Sequence, residues 1–238
     1  MRAKELVPIF AEIYGVPFET AFMIDRSLSE AGLRAKGRGR SLPEMTRREA
    51  IIFLVACMVT LRATKAGQEV QPWLSADGWI NDEIEPGDYL SEDYAAMGLE
   101  APQEIIDEDE AKGPVIRNHY MREVVKRLDY QTTDEGGLPG RINMIDCLLA
   151  VCEMLEANHL TGEAFKFEIS FSHGWAAISV NERFSGGYSE VRFQTEAGAD
   201  DPVSYETQIS KSAVVYGDAL LALAVRTAPE GKGGGDDG

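Results

Sequence analysis

The stretch FKFEISFSHGWAAISV, residues 165–180, decides the fold. Phe165, Phe167, Ile169 and Phe171 are apolar at every second position, and Ala176, Ile178 and Val180 resume the pattern after Gly174. Period-two alternation belongs to a strand with one buried face, and a glycine between two such runs supplies a hairpin turn. Working outward, a third strand is predicted at Tyr188–Gln194, with Val191 and Phe193 inward and Gly186-Gly187 as the turn before it. Val203, Tyr205, Thr207 and Ile209 mark a fourth. Lys211 to Arg226 reads as a closing helix, its Val214, Leu220, Leu221 and Leu223 covering one sheet face. Upstream the period changes to that of helices. Val115, Ile116, Tyr120, Val124 and Leu128 mark one helix; Ile142, Ile145, Leu148, Leu149, Cys152 and Leu155 mark another, after the turn-rich TTDEGGLPGR. An antiparallel sheet with helices packed on it is an α+β domain, expected over residues 113–228 and able to fold alone. The tail, 229–238, is too polar and glycine-rich to bury anything and is expected to be disordered.

The first 66 residues read as an all-helical head. Leu6, Ile9, Phe10 and Ile13 recur at helical spacing, and Gly15 ends that helix. Pro17 opens a second, where a missing N–H costs nothing; Phe18, Ala21, Phe22, Ile24 and Leu28 are expected as its buried stripe, and Gly32 as its stop. Thr46-Arg47-Arg48-Glu49 has the form of a capping box for a third helix. The apolar run Ala50 to Val59 that follows is too short to span a bilayer, which needs roughly 20 residues, and reads as a buried element.

Charge divides the chain unevenly. Residues 1–66 carry 11 Lys and Arg against 7 Asp and Glu, while the rest carries 12 against 33, within a formal net charge of -17. Residues 67–111 hold 14 acids and no Lys or Arg, and Pro72, Pro86 and Pro102 punctuate them. This segment, with its boundary at 112, reads as an extended acidic linker. A solvating connector is its simplest role; shielding of the basic head, mimicry of DNA and calcium binding are the sharper ones. Against that background the loop GLRAKGRGR, residues 32–40, concentrates four cations among three glycines. Arg reaches phosphates bidentately, and glycine lets the backbone approach a groove.

Two short helices, a tight turn and a Gly/Arg loop have the layout of a helix-turn-helix followed by a wing. LVPIFAEIYGVPFETAFMIDRSLSEAGLRAKGRGR resembles the winged helix-turn-helix of GntR-like bacterial transcription regulators, and the head is similar to uncharacterised prophage proteins of alphaproteobacteria. The resemblance implies that Glu19, Thr20, Met23, Arg26 and Ser27 lie on a recognition-helix face, with Arg34, Lys36, Arg38 and Arg40 in the wing. Arg47 and Arg48 extend the basic set. SLPEMT departs from the pattern, leading into a helix where a wing returns as a strand.

Catalytic and metal motifs are thin. His119, His159 and His173 are not at ligand spacing, and no GxSxG, HExxH or Walker loop occurs. GGLPGR, residues 136–141, reads as a turn more readily than as a phosphate cradle. Cys147 and Cys152 lie on an apolar helix and read as core thiols; three cysteines with no paired spacing point to a reducing compartment. The start of the chain lacks the apolar run of a signal peptide, so a cytoplasmic protein is expected, with no membrane contact, cofactor, metal or enzymatic activity. The leading expectation is a DNA-binding regulator of phage or prophage origin, its C-terminal domain serving self-association or partner contact. The rival is a protein-interaction or virion-assembly factor that makes no DNA contact. An enzyme with an acidic metal site comes third.

Overall fold

The computed structural model describes residues 3–36, 44–82, 100, 102–103, 119–128, 141–158, 165–170, 174–181, 188–195 and 212–227. The head opens with α1 (Ala3–Ile13), α2 (Phe18–Glu30) and α3 (Arg47–Val59), followed by a 3-10 turn at Ala63–Lys65 and two one-turn helices, α4 (Ala66–Glu69) and α5 (Gln71–Leu74). Then come β1 (Asp77–Asp82), α6 (His119–Arg127), β2 (Ile142–Asn143), α7 (Met144–Asn158), β3 (Phe165–Ser170), β4 (Trp175–Asn181), β5 (Tyr188–Gln194), β6 (Ser212–Tyr216) and α8 (Gly217–Arg226). The six strands form one sheet in the order β2-β1-β5-β4-β3-β6. Every pairing is antiparallel.

Alternation sets the sheet's two faces. Phe165, Phe167, Ile169, Ala176, Ile178, Val180, Val191 and Phe193 are buried beneath the helices. On the opposite face Glu168, Ala177 and Arg192 follow one another across β3, β4 and β5, with Trp79 of β1 at half exposure. Gly174 turns the β3–β4 hairpin at φ 60°, the left-handed conformation expected of that glycine.

Three expectations change. Residues 77–82, assigned to the acidic linker, are a strand of the sheet, with β5 on one side and β2 on the other. Residues 66–74 are helical turns, α4 packed against α2 and α3, and α5 against α4 and α7. Ser212–Tyr216, expected as the start of the last helix, is the edge strand beside β3, and the helix begins only at Gly217. A short apolar run carries no period long enough to separate the two states, and pairing with β3 decides it. The expected strand at 203–209 and the turn at 186–187 lie outside the described residues.

The head and the sheet share one core. α3 is buried from Ala50 to Ala56 without interruption, because α2, α4, α7 and α8 surround it. Arg47 at its start reaches out of the head altogether. Its guanidinium donates to Glu156 of α7 at 2.6 Å, to the Ala224 carbonyl of α8 at 3.1 Å and to the Thr227 hydroxyl at 3.3 Å. A cation on the last carbonyls of α8 satisfies acceptors that the helix leaves open. Asn143 makes the matching link at the other end, giving Nδ2–H to the Leu74 carbonyl and accepting from the Ile145 N–H at the start of α7.

Candidate functional site

α2 is delimited by backbone chemistry. Pro17 precedes it, and Gly32 at φ 76° lets the Leu33 N–H return to the Leu28 carbonyl at 3.0 Å, the closure of a Schellman end. Its inner face buries Ala21, Ile24, Asp25, Ser27 and Leu28. Its outer face presents Phe18, Phe22 and Met23, which are 50%, 53% and 42% exposed. The two phenyl rings lie 6.3 Å apart, and Glu19, Arg26 and Glu30 flank them. Phe18 and Phe22, read as core from their i,i+4 spacing, therefore stand in solvent. Their places inside are taken by Asp25 and Ser27, both engaged in polar contacts.

The residues expected to touch DNA separate accordingly. Met23 and Arg26 do stand on the outer face, Thr20 is half-buried at its margin, and Lys36 is exposed. Arg26 donates to Glu30 at 2.9 Å in an exposed i,i+4 pair. Ser27 turns inward: its hydroxyl donates to the Thr64 carbonyl at 3.2 Å and accepts the Gly67 N–H at 3.0 Å. Arg34 is likewise not a free wing residue. Its side chain folds back on Asp25, with Nη2 2.8 Å from Oδ2 and Nε 2.5 Å from Oδ1, both groups almost fully covered. Burial raises the Asp25 carboxyl above its ordinary value, and the Arg34 charge pulls it partly back. Arg47 is committed to α7 and α8 as above, and Arg48 donates to Asp146 at 2.7 Å. Arg38 and Arg40 lie outside the described residues, as do GGLPGR up to Gly140, His159 and His173.

Residues 35 and 46 are both held by Glu49. Glu49 accepts the Ala35 N–H at 2.7 Å with one carboxylate oxygen and the Thr46 N–H at 2.8 Å with the other; the Thr46 hydroxyl accepts the Glu49 N–H at 3.2 Å. The expected capping box is therefore present and also anchors residue 35. A signal for the exposed phenylalanines was available in AFMI, residues 21–24: four consecutive apolar side chains go right round a helix, so no single buried face can take them all.

Elsewhere, an open apolar groove of about 410 Å³ runs between the end of α1 and the β6–α8 corner, lined by Ile13, Tyr14, Val214 and Tyr216 among others. Cys147 and Cys152 are buried as expected. Burial pushes both thiols up to about 12, and Cys57 with them, so none is poised as a nucleophile. Among the described residues no three His, Cys, Asp or Glu side chains are grouped to hold a metal, and no helix is long and apolar enough to cross a membrane. Compared with known proteins, the chain matches no family model, no curated protein and no solved structure.

Proposed function

We propose that this chain is a protein-interaction factor whose contact face is the outer side of α2. The observation that carries this reading is that Phe18, Phe22 and Met23 all stand exposed on that face, the two phenyl rings 6.3 Å apart, alongside Glu19, Arg26 and Glu30. Aromatic and methionine side chains inside a polar rim are the composition of a docking site. The DNA-binding expectation depended on cations, and of the six in residues 34–48, Arg34, Arg47 and Arg48 are paired with carboxylates of the chain. A helix that reads DNA presents polar or cationic groups to base edges and phosphates, whereas this one offers two phenyl rings beside Glu19, Glu30 and an Arg26 that pairs with Glu30. The prophage resemblance of the head extends the reading to an assembly factor.

The test is capture by the immobilised full chain, from cell lysate with and without nuclease, at about 50 and 200 mM salt. Protein capture that survives nuclease and salt, and is lost with Phe18→Ser/Phe22→Ser, supports the proposal. Capture of nucleic acid that collapses with salt and is indifferent to the two phenylalanines returns the function to the loop around Lys36.

A further inference from the structure

Resting on the reading of α2 as a docking face, we infer that its partner is a second copy of the chain, with α2 packed antiparallel on α2 about a two-fold axis between Phe22 and Met23. The face is self-complementary. Glu19 lies three residues before Phe22, and Arg26 lies three residues after Met23. A two-fold axis at that midpoint sets Phe22 on Met23 of the second copy, and Met23 on its Phe22. Thioether–ring contacts of this kind are favourable. The same operation places Glu19 opposite Arg26 of the other copy, twice, so that both ends of the contact carry an opposite-charge pair. A parallel arrangement does the reverse, setting Glu19 on Glu19 and Arg26 on Arg26. Charge therefore selects both the occupant and its direction.

Local geometry prepares the contact. Glu19, Phe22, Met23 and Arg26 are all exposed on the same side of the helix. Arg26 pairs with Glu30 one turn further along its own helix at 2.9 Å, and at 74% exposure its side chain stays open to a second carboxylate. One helix from each chain makes a small interface, so the dimer is weak and dissociates on dilution.

Sedimentation velocity on the full chain over a concentration series tests the inference with charge reversal. Glu19→Arg sets Arg against Arg at both ends, and Arg26→Glu sets Glu against Glu; each variant alone should weaken the dimer about tenfold or more. An equimolar mixture of the two restores both opposite-charge pairs and should recover the wild-type dissociation constant. Phe22→Ser should weaken it about a hundredfold, since the axis counts the loss twice. All of these side chains are on the surface, and circular dichroism confirms that each variant is folded. A chain that stays monomeric at every concentration overturns the inference, and so does a dimer whose mixed variants do not recover. If the chain is monomeric yet the two phenylalanines still govern capture of another protein, self-pairing fails and the docking face stands. If neither association nor capture responds to them, both readings fall.

Discussion

At the scale of single residues, Tyr14 is the most informative position. Its ring stacks on Phe10 at 5.6 Å, and its hydroxyl is buried with no hydrogen-bond partner among the described residues. Burial pushes that hydroxyl well above its ordinary 10.0, and the nearby thiols of Cys57 and Cys152 push it further. Removing an unsatisfied buried donor should help, so Tyr14→Phe is expected to stabilise the fold by about 1 kcal/mol in urea denaturation. A loss of that size would mean that the hydroxyl has a partner. The same burial gives an alkaline prediction. Cys57, Cys147 and Cys152 are raised from 9.0 to about 12, so above the ordinary thiol value the unfolded chain releases protons that the folded chain keeps. Their contribution is complete below about pH 9 and is lost as pH rises towards 12, with Tyr14 acting in the same direction. Stability measured at pH 8 and about pH 10.5 should fall between the two, with slow thiol alkylation while the chain stays folded.

Among the elements, those with a long enough period were readable. β3, β4 and β5 stand where alternation put them, as do the caps of α2 and α3, because each is specified by side chains within its own segment. β1 was not readable. Among the described side chains of DGWIND the buried apolar one is Ile80, in a run of acids and prolines, and only its place beside β5 makes it a strand. The pairs Arg47–Glu156 and Arg48–Asp146 were hidden for a related reason: sequence shows a charge but not a partner about a hundred residues away. Hence the cations of residues 34–48 looked available for phosphate when Arg34, Arg47 and Arg48 were committed. Gly78 tests β1 directly. A Cβ added there would meet the Arg192 carbonyl oxygen, which is backbone of the paired strand, and the Phe193 ring at 2.6 Å. Neither can move without opening the β1–β5 ladder, so Gly78→Ala should cost about 2–3 kcal/mol in thermal or urea denaturation. Wild-type stability in that variant would show that β1 is not held in the sheet.

Across the whole molecule, the head and the sheet form one unit. α3 lies between the head and α7, β1 brings residues 77–82 into the sheet, and Arg47 links α3 to α7 and α8. The sequence suggested a C-terminal part able to fold alone from about residue 113, but such a fragment lacks β1 and leaves one side of α7 uncovered. We expect it to give broad, non-cooperative unfolding, and a cooperative transition would contradict the shared core. In the full chain Arg47→Ala leaves Glu156 and the end of α8 without their cation and should lower stability by about 2 kcal/mol, Arg47→Lys recovering only part because one ammonium cannot span all three acceptors. Packing of α2 against α1, α3 and α4 fixes the backbone that presents the outer α2 face. Radical footprinting of the chain in its associated and dilute forms tests that face most directly, because phenylalanine and methionine side chains oxidise readily when open to solvent. Phe18, Phe22 and Met23 should be oxidised in the dilute chain and protected on association, while Lys36 and Leu61 keep their reactivity. Equal oxidation of the three side chains in both forms, with protection appearing in residues 34–48, would contradict the account.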